Sequence, residues 1–228
     1  MGILVDALSI ACGGFLGGRL KKGMSQENNR ILGIGIMIVS LVGFFENIYN
    51  VLGESIASEN LMIVLFAYMI GSKTGEFLHL EEKLAGLGRS EDGSRNAFLD
   101  AVLFFGVGGL QICGPVALAI HQDNSQLLLK SAIDIPFAIA LGSTYGRIVA
   151  LSAVPVAAIQ VLIAAAAFAC STIFSNEMTA QLCAMGYIIL FFSGFNLITD
   201  RKYKISNMNM LPGILFLALY HVVAGIFG

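Results

Sequence analysis

The chain has 228 residues, of which 57% are hydrophobic and 12% charged, and its net charge is −2 at neutral pH. Soluble domains carry about 25% charged residues, and a chain of this length has too little interior to bury so much apolar surface. The mean hydropathy of +0.81 therefore indicates an integral membrane protein. No basic patch accompanies the near-neutral charge, so nucleic acid is not an expected partner.

Eight apolar stretches follow one another along the chain, separated by short polar connectors. A helix that crosses a bilayer needs about 20 mainly apolar residues, and each stretch meets or nearly meets that length. They cover residues 3–19, 31–52, 60–79, 97–120, 128–147, 150–174, 178–199 and 210–227. The sequence predicts an all-α polytopic membrane protein that forms a single transmembrane domain over residues 1–228. It has eight spanning helices, or seven if the short last stretch does not cross.

The basic residues are divided unevenly between the connectors. Connectors one, three, five and seven carry 12 of the 13 lysines and arginines, and the one exception is Lys130. Connectors rich in Lys and Arg face the cytoplasm. We therefore expect a multi-pass protein of the bacterial cytoplasmic (inner) membrane with its N-terminus outside.

The two halves of the chain share an ungapped pattern around the first and fifth stretches. The matched pairs are Asp6 with Asp134, Gly14 with Gly142, Gly18 with Gly146 and Arg19 with Arg147. The third and seventh stretches, and the fourth and eighth, also align, whereas the second and sixth do not. This pattern predicts two parallel four-helix repeats, residues 1–120 and 128–228, related by an axis along the membrane normal.

Small residues mark the inner ends of the first and fifth helices. Gly14 and Gly18, and the matching Gly142 and Gly146, have the GxxxG spacing that lets helix backbones approach closely in lipid. We predict that they pack helices, and the alternative is a hinge or moving interface. Pro115 removes one helical hydrogen bond in the fourth stretch, so we predict a kink or hinge there.

Asp6 and Asp134 are predicted near the starts of their helices, at matching positions of the repeat. One interpretation is end-capping, because the free N–H groups and dipole of a helix start favour an acid, and Lys130 can pair with Asp134 one turn away. The other is a cation or proton-coupling site made by two facing carboxylates, since ionisable groups at membrane depth are costly and tend to be functional. Depth in the membrane decides between the two.

Four further polar side chains inside the apolar stretches are candidates for a role at membrane depth: Gln111, Gln160, Asn196 and His221. One interpretation is that each joins two helices by a hydrogen bond. If they converge on one cavity, they line a solute or ion path instead, and His221 is suited to relaying protons. Together with Asp134 and Asp6 they are the predicted path residues.

No catalytic pattern is present in the sequence, which lacks GxSxG, HExxH and Walker motifs. The cysteines, Cys12, Cys113, Cys170 and Cys183, form no CxxC pair or Cys/His cluster, so we expect small buried side chains rather than a disulfide or metal site. The chain is predicted not to be an enzyme and to need no cofactor or metal.

Several motifs occur in the order found in a known family. They are Gly13-Gly14-x-x-Gly17, Ile70-Gly71-x-x-x-Gly75-Glu76-x-Leu78-x-x-Glu81, Lys130-Ser131-Ala132-Ile133-Asp134 and Gly194-Phe195-Asn196-Leu197. With them the whole chain resembles the YqgA-type bacterial integral membrane family, a domain of unknown function sometimes labelled as transporters. Members of that family often carry Asn at the position of Asp6, so the resemblance makes Asp134 the stronger candidate for an essential carboxylate.

These observations predict a membrane transporter or channel-like permease for a small solute or ion, of cationic or proton-coupled type. Its polar path would lie near the interface of the two repeats, in contact with the lipid bilayer. The alternative is a non-transporting scaffold or assembly protein that binds other helices through its glycine faces. Those faces would also suit a homodimer.

Overall fold

The computed structural model describes residues 1–20, 25–51, 59–86, 93–106, 109–169, 171, 175–199 and 203–227, and within these ranges every regular element is a helix. The α-helices are α1 (Gly2–Gly17), α2 (Gln26–Glu46), α3 (Glu59–Phe77), α4 (Leu80–Gly86), α5 (Gly93–Gly106), α6 (Gly109–His121), α7 (Ser125–Tyr145), α8 (Ala153–Ala169), α9 (Asn176–Ile198) and α10 (Leu211–Phe227). The all-helical prediction is confirmed for this part of the chain. Helices satisfy their own backbone groups, as a lipid environment requires.

Among the described residues, four helical stretches are long and apolar enough to cross a membrane: Gln26–Tyr49, Ser125–Tyr145, Arg147–Ala169 and Asn176–Ile198. α5 and α6 make a fifth if they count as one span bent by 54°. α1 and the last apolar helix are shorter. Each predicted apolar stretch contains a helix or, in the fourth, this bent pair. Residues 52, 107, 108, 170 and 172–174 of those stretches, Cys170 included, lie outside the described residues.

The helices form two compact units. Unit one comprises Met1–Asn29 and Leu84–Phe168, and unit two comprises Arg30–Lys83 and Ala169–Gly228. Unit one therefore holds α1 and α5 to α8, whereas unit two holds most of α2 together with α3, α9 and α10. Each unit takes helices from both predicted repeats, and the repeat itself stays a prediction.

Close backbone packing joins α1 to α7 in unit one. A Cβ at Gly13 would lie 2.7 Å from the Cβ of Ala138, and a Cβ at Gly17 would overlap the carbonyl of Ile139. A Cβ at Gly142 would in turn meet the backbone of Gly14. Glycine is needed along this interface because any larger residue would push the two helices apart.

Glycine also brings helices together in unit two. α3 meets α10 where a Cβ at Gly71 would overlap the backbone of Gly213. α2 meets α9 where a Cβ at Gly33 would lie 2.7 Å from the carbonyl oxygen of Gly194. The unit is thus built on the same close approach of backbones as unit one.

Gly146 ends α7 in a conformation that side chains disfavour. Its φ is 86° and its ψ is −173°, a combination adopted essentially by glycine alone. Its N–H donates to the carbonyl of Gly142 at 2.8 Å, and the chain then enters the 3-10 turn Arg147–Ser152 that leads into α8. A Cβ here would meet nothing within 4 Å, so the reason for glycine is backbone conformation rather than space.

The packing of α1 on α7 gives a prediction about two glycines within helices. Gly142→Ala places a methyl group against the backbone of Gly14 and should lower the melting temperature in detergent, because overpacking costs about 1–3 kcal/mol. Gly35→Ala is the matched control, since a Cβ at Gly35 meets nothing within 4 Å and alanine favours the helix. Equal melting temperatures for the two variants would show that the α1–α7 contact is loose.

Candidate functional site

A buried ammonium group links α1 to α7. The Nζ of Lys130 donates to Oδ2 of Asp6 at 2.9 Å and to Oδ2 of Asp134. Lys130 and Asp134 stand one turn apart on the same face of α7, and Asp6 reaches them from α1. Lys130 is 4% exposed, Asp134 7% and Asp6 0%. Two carboxylates from different helices thus share one cation away from solvent.

Two glutamine amides extend this cluster to α8 and α6. The Nε2 of Gln160 donates to Oδ2 of Asp6 at 2.7 Å and to Oε1 of Gln111 at 3.0 Å. The Nε2 of Gln111 donates to the carbonyl of Val156 at 3.1 Å. Both glutamines are fully buried. We call Asp6, Lys130, Asp134, Gln160 and Gln111 the buried network.

The direction of every hydrogen bond in the amide part of the network is fixed. The carbonyl of Val156 only accepts, so Gln111 must point its NH₂ group there and its oxygen at Gln160. Gln160 must then point its own NH₂ group at Gln111, and the same group reaches Asp6. Asp6 therefore receives two donors on one oxygen, from Gln160 and from Lys130.

The network has unused acceptors and an excess of negative charge. Among the described residues, Oδ1 of Asp6 and Oε1 of Gln160 are buried without a hydrogen-bond partner. If both carboxylates and the ammonium are ionised, the network carries a net charge of −1. Within the same ranges no group of three or more His, Cys, Asp or Glu side chains is placed to hold a metal ion.

The structure brings four of the six predicted path residues together, namely Asp6, Asp134, Gln111 and Gln160. The other two lie in unit two. His221 of α10 places Nε2 2.9 Å from Oε1 of Gln181, which is fully buried on α9. Asn196 of α9 donates to the carbonyl of Ile205 at 2.7 Å and accepts from the N–H of Ile205 at 2.9 Å, so its amide holds the connector to α10.

The end-capping interpretation of the two aspartates is wrong. α7 begins at Ser125, three residues before the predicted start, so Asp134 is its tenth residue and lies well inside the helix. Asp6 is the fifth residue of α1, whose first turn has no acidic residue and whose N-cap, Met1, makes no side-chain hydrogen bond. Both carboxylates bind Lys130 instead of helix N–H groups.

The sequence predicted only part of the role of Lys130 and did not identify Gln181. It predicted the pairing of Lys130 with Asp134, but not the pairing with Asp6 or the burial of the ammonium. A signal was present, because Lys130 was the one exception to the division of basic residues between the connectors. Gln181, the partner of His221, lies in an apolar stretch and carried no comparable signal.

The remaining predicted residues line helix contacts around the network. Gly14 packs against the backbone of Ala150, and Gly18 would place a Cβ 2.6 Å from Cγ of Arg147. Pro115 is buried within α6, four residues after Gln111. Because proline has no N–H, the main-chain carbonyl of Gln111 loses its usual helical donor.

Lys130 offers a direct test of what holds α1 to α7. Lys130→Met removes the cation that both carboxylates share, and loss of one partner from a buried ion pair costs about 3–5 kcal/mol. We expect a marked fall in melting temperature in detergent. Lys73→Met is the control. Lys73 pairs with Glu76 on an exposed surface, so this variant should keep the wild-type melting temperature. Similar melting of both variants would mean that the buried ion pairs do not stabilise unit one.

The comparisons with known proteins agree with a membrane role. The family described as "Protein of unknown function (DUF554)" matches residues 1–222. The chain is 27% identical to the uncharacterized membrane protein YdfK of Bacillus subtilis (strain 168), over 100% of this chain and 98% of that protein. It is 23% identical to the uncharacterized protein YqgA of Escherichia coli (strain K12), over 94% and 93% respectively.

No solved structure matches the chain. The two relatives cover nearly its whole length, and the matched family spans almost all of it. The resemblance to the YqgA-type family inferred from the motifs is therefore confirmed. The chain belongs to the DUF554 family of proteins of unknown function.

Proposed function

We propose that this chain is a membrane permease for a small solute or ion, and that the buried network of unit one is its binding site. The observation that carries the proposal is the convergence of two carboxylates, one ammonium and two amides on the interior of an apolar helical unit. Ionisable groups inside membrane helices are rare and mark ion or substrate paths.

Stability alone is a poor reason for such a network. Taking an ion out of water costs several kcal/mol, and a well-packed apolar replacement is often as stable as a buried ion pair. Here the network also leaves two buried oxygens without a partner among the described residues. A purely structural cluster would gain by satisfying them, whereas a binding site keeps acceptors ready for a ligand.

The proposal includes eight membrane-spanning helices in a bacterial inner membrane, with the N-terminus outside and two parallel four-helix repeats. Two contacts in unit one support the repeat. The matching residues Asp6 and Asp134 bind the same Nζ of Lys130, and the matching residues Gly14 and Gly142 meet across the α1–α7 interface. Such pairs are expected where repeat-related helices pack around a two-fold axis.

The scaffold alternative draws less support from the structure. It relied on glycine faces that other helices could bind, but Gly13, Gly14, Gly17 and Gly142 already pack inside unit one. The homodimer suggested by those faces stays a prediction. A scaffold would also not require a charged network, because these buried groups are inaccessible to binding partners.

The topology can be tested with reporter fusions. Alkaline phosphatase fused after Asp123, in the connector between α6 and α7, should be active because that connector faces the outside. The same reporter fused after Lys204, in the connector between α9 and α10, should be inactive, and green fluorescent protein at both positions should give the reverse pattern. The same activity at both positions would contradict the proposed orientation.

The transport function can be tested in proteoliposomes that contain a pH-sensitive dye. Gradients of Na⁺, K⁺ and H⁺ imposed across the liposome membrane test for ion flux. Osmotic swelling of the liposomes in urea or glycerol tests for the passage of neutral solutes. We expect at least one signal above that of empty liposomes, and at least a tenfold loss of its rate in Asp134→Asn, which removes the carboxylate that pairs with Lys130 on the next turn of α7.

Glu76→Gln is the matched control for that experiment, because it neutralises an exposed carboxylate in unit two and should retain the flux. Flux that is absent for every gradient and solute would argue for the scaffold alternative. Flux that is equal in Asp134→Asn and the wild type would place the path elsewhere.

A further inference from the structure

We infer that the buried network binds one exchangeable proton, and that this proton lies on Oδ1 of Asp6 in contact with Oε1 of Gln160. The inference rests on the proposed function and names the ligand of that site. It starts from the two oxygens of the network that are buried without a hydrogen-bond partner among the described residues, Oδ1 of Asp6 and Oε1 of Gln160.

The two oxygens belong to side chains that are already joined. The Nε2 of Gln160 donates to Oδ2 of Asp6 at 2.7 Å, and both side chains are fully buried. A carboxylic acid and a primary amide can pair through two hydrogen bonds, with N–H donating to C=O and O–H donating to the amide oxygen. One of these bonds is present, and a proton on Oδ1 of Asp6 would supply the donor that the other requires.

The same proton balances the charge. With both carboxylates ionised the network carries −1, a costly state away from water. Transfer of a proton from water to Asp6 leaves a neutral acid beside the ion pair of Lys130 with Asp134, so the net charge becomes zero. Protonation of Asp134 would also neutralise the network, but it would leave Oε1 of Gln160 without a donor.

A metal cation fits the same place less well. Cations such as Mg²⁺ or Ca²⁺ take at least about six oxygen ligands, and the described part of the network offers two unused ones inside a fully buried pair. A proton needs one acceptor and occupies no volume. The geometry therefore favours a proton over a metal ion.

Loss of the proton would have a mechanical effect on α8. Two oxygens that both carry lone pairs would then face each other, and Gln160 would have to turn away. Its NH₂ group would leave Asp6 or Gln111, loosening the contact of α8 with α1 and α6. Release of the proton would thus change both the charge of the buried network and the position of α8. Proton-driven transport requires a coupling of this kind.

The charged groups that face Asp6 are few. α7 presents Lys130 and Asp134, and the sequence of α8 contains no charged residue. The turn Arg147–Ser152 also packs on α1, and its one charged residue, Arg147, lies over the ring of Phe15 toward the other end of α1. The charged groups nearest to Asp6 are thus Lys130 and Asp134 of the network itself.

Infrared difference spectroscopy tests the inference on purified full-length protein at neutral pH. A protonated carboxylic acid has a carbonyl stretch separate from that of a carboxylate, and the band shifts on exchange into D₂O. We expect such a band in the wild type and its complete loss in Asp6→Asn. Absence of any acid band in the wild type would overturn the inference.

Gln160→Met decides which carboxyl group carries the proton, because Gln160 donates to Asp6, whereas Asp134 binds Lys130. We expect the acid band to move to higher frequency as its hydrogen bond is lost. Gln181→Met is the matched control and should leave the band in place, because Gln181 is a fully buried glutamine of unit two that contacts His221 rather than Asp6. A band that does not respond to Gln160→Met would place the proton on Asp134 and overturn the inference.

Thermal melting covers the case in which Gln160→Met does not fold. Asp6→Asn mimics the protonated acid and should melt near the wild-type temperature. Asp134→Asn removes the anion that pairs with Lys130 and should melt roughly 10 °C lower. The opposite order would contradict the inference. Neither readout requires transport, so an acid band without flux would overturn the proposed permease and leave the proton site standing.

Discussion

A single ammonium group in an apolar interior sets the arrangement of unit one. Lys130 needs hydrogen-bond acceptors within reach, at least one of them negatively charged, because water is not available to it at 4% exposure. One acceptor, Asp134, comes from the next turn of the same helix, but the other, Asp6, stands on α1. The backbones of α1 and α7 must therefore approach closely. The glycines along their interface make that approach sterically possible.

In unit two, uncharged side chains pair with one another or with the backbone. His221 and Gln181 bond to each other across α10 and α9, and the amide of Asn196 pairs with both backbone groups of Ile205. These three side chains have definite partners, and the described contacts of unit two involve no buried ion pair. The charged chemistry of the described structure is concentrated in unit one, which is why the proposed site lies there.

Much of the fold could be predicted from the sequence, because hydropathy reports which segments are apolar enough to form membrane helices. Hydropathy does not report which side of a helix faces which neighbour, so it did not show that Asp6, Gln111 and Gln160 converge. The predicted start of α7 at residue 128 placed Asp134 near a helix end. The true start at Ser125 adds almost a turn, and this difference separates a capping residue from a member of the buried network.

The contacts of α8 with the network also restrict how that helix can move. Its Val156 carbonyl is held by Gln111, and Gln160, one turn later on the same face, is held to Asp6 on another helix. A shift of α8 by one residue would translate it by about 1.5 Å and rotate it by about 100°. Both contacts would be lost at once, so piston-like sliding and screw rotation of α8 are opposed. Tilting about the Val156–Gln160 turn is the displacement that preserves both.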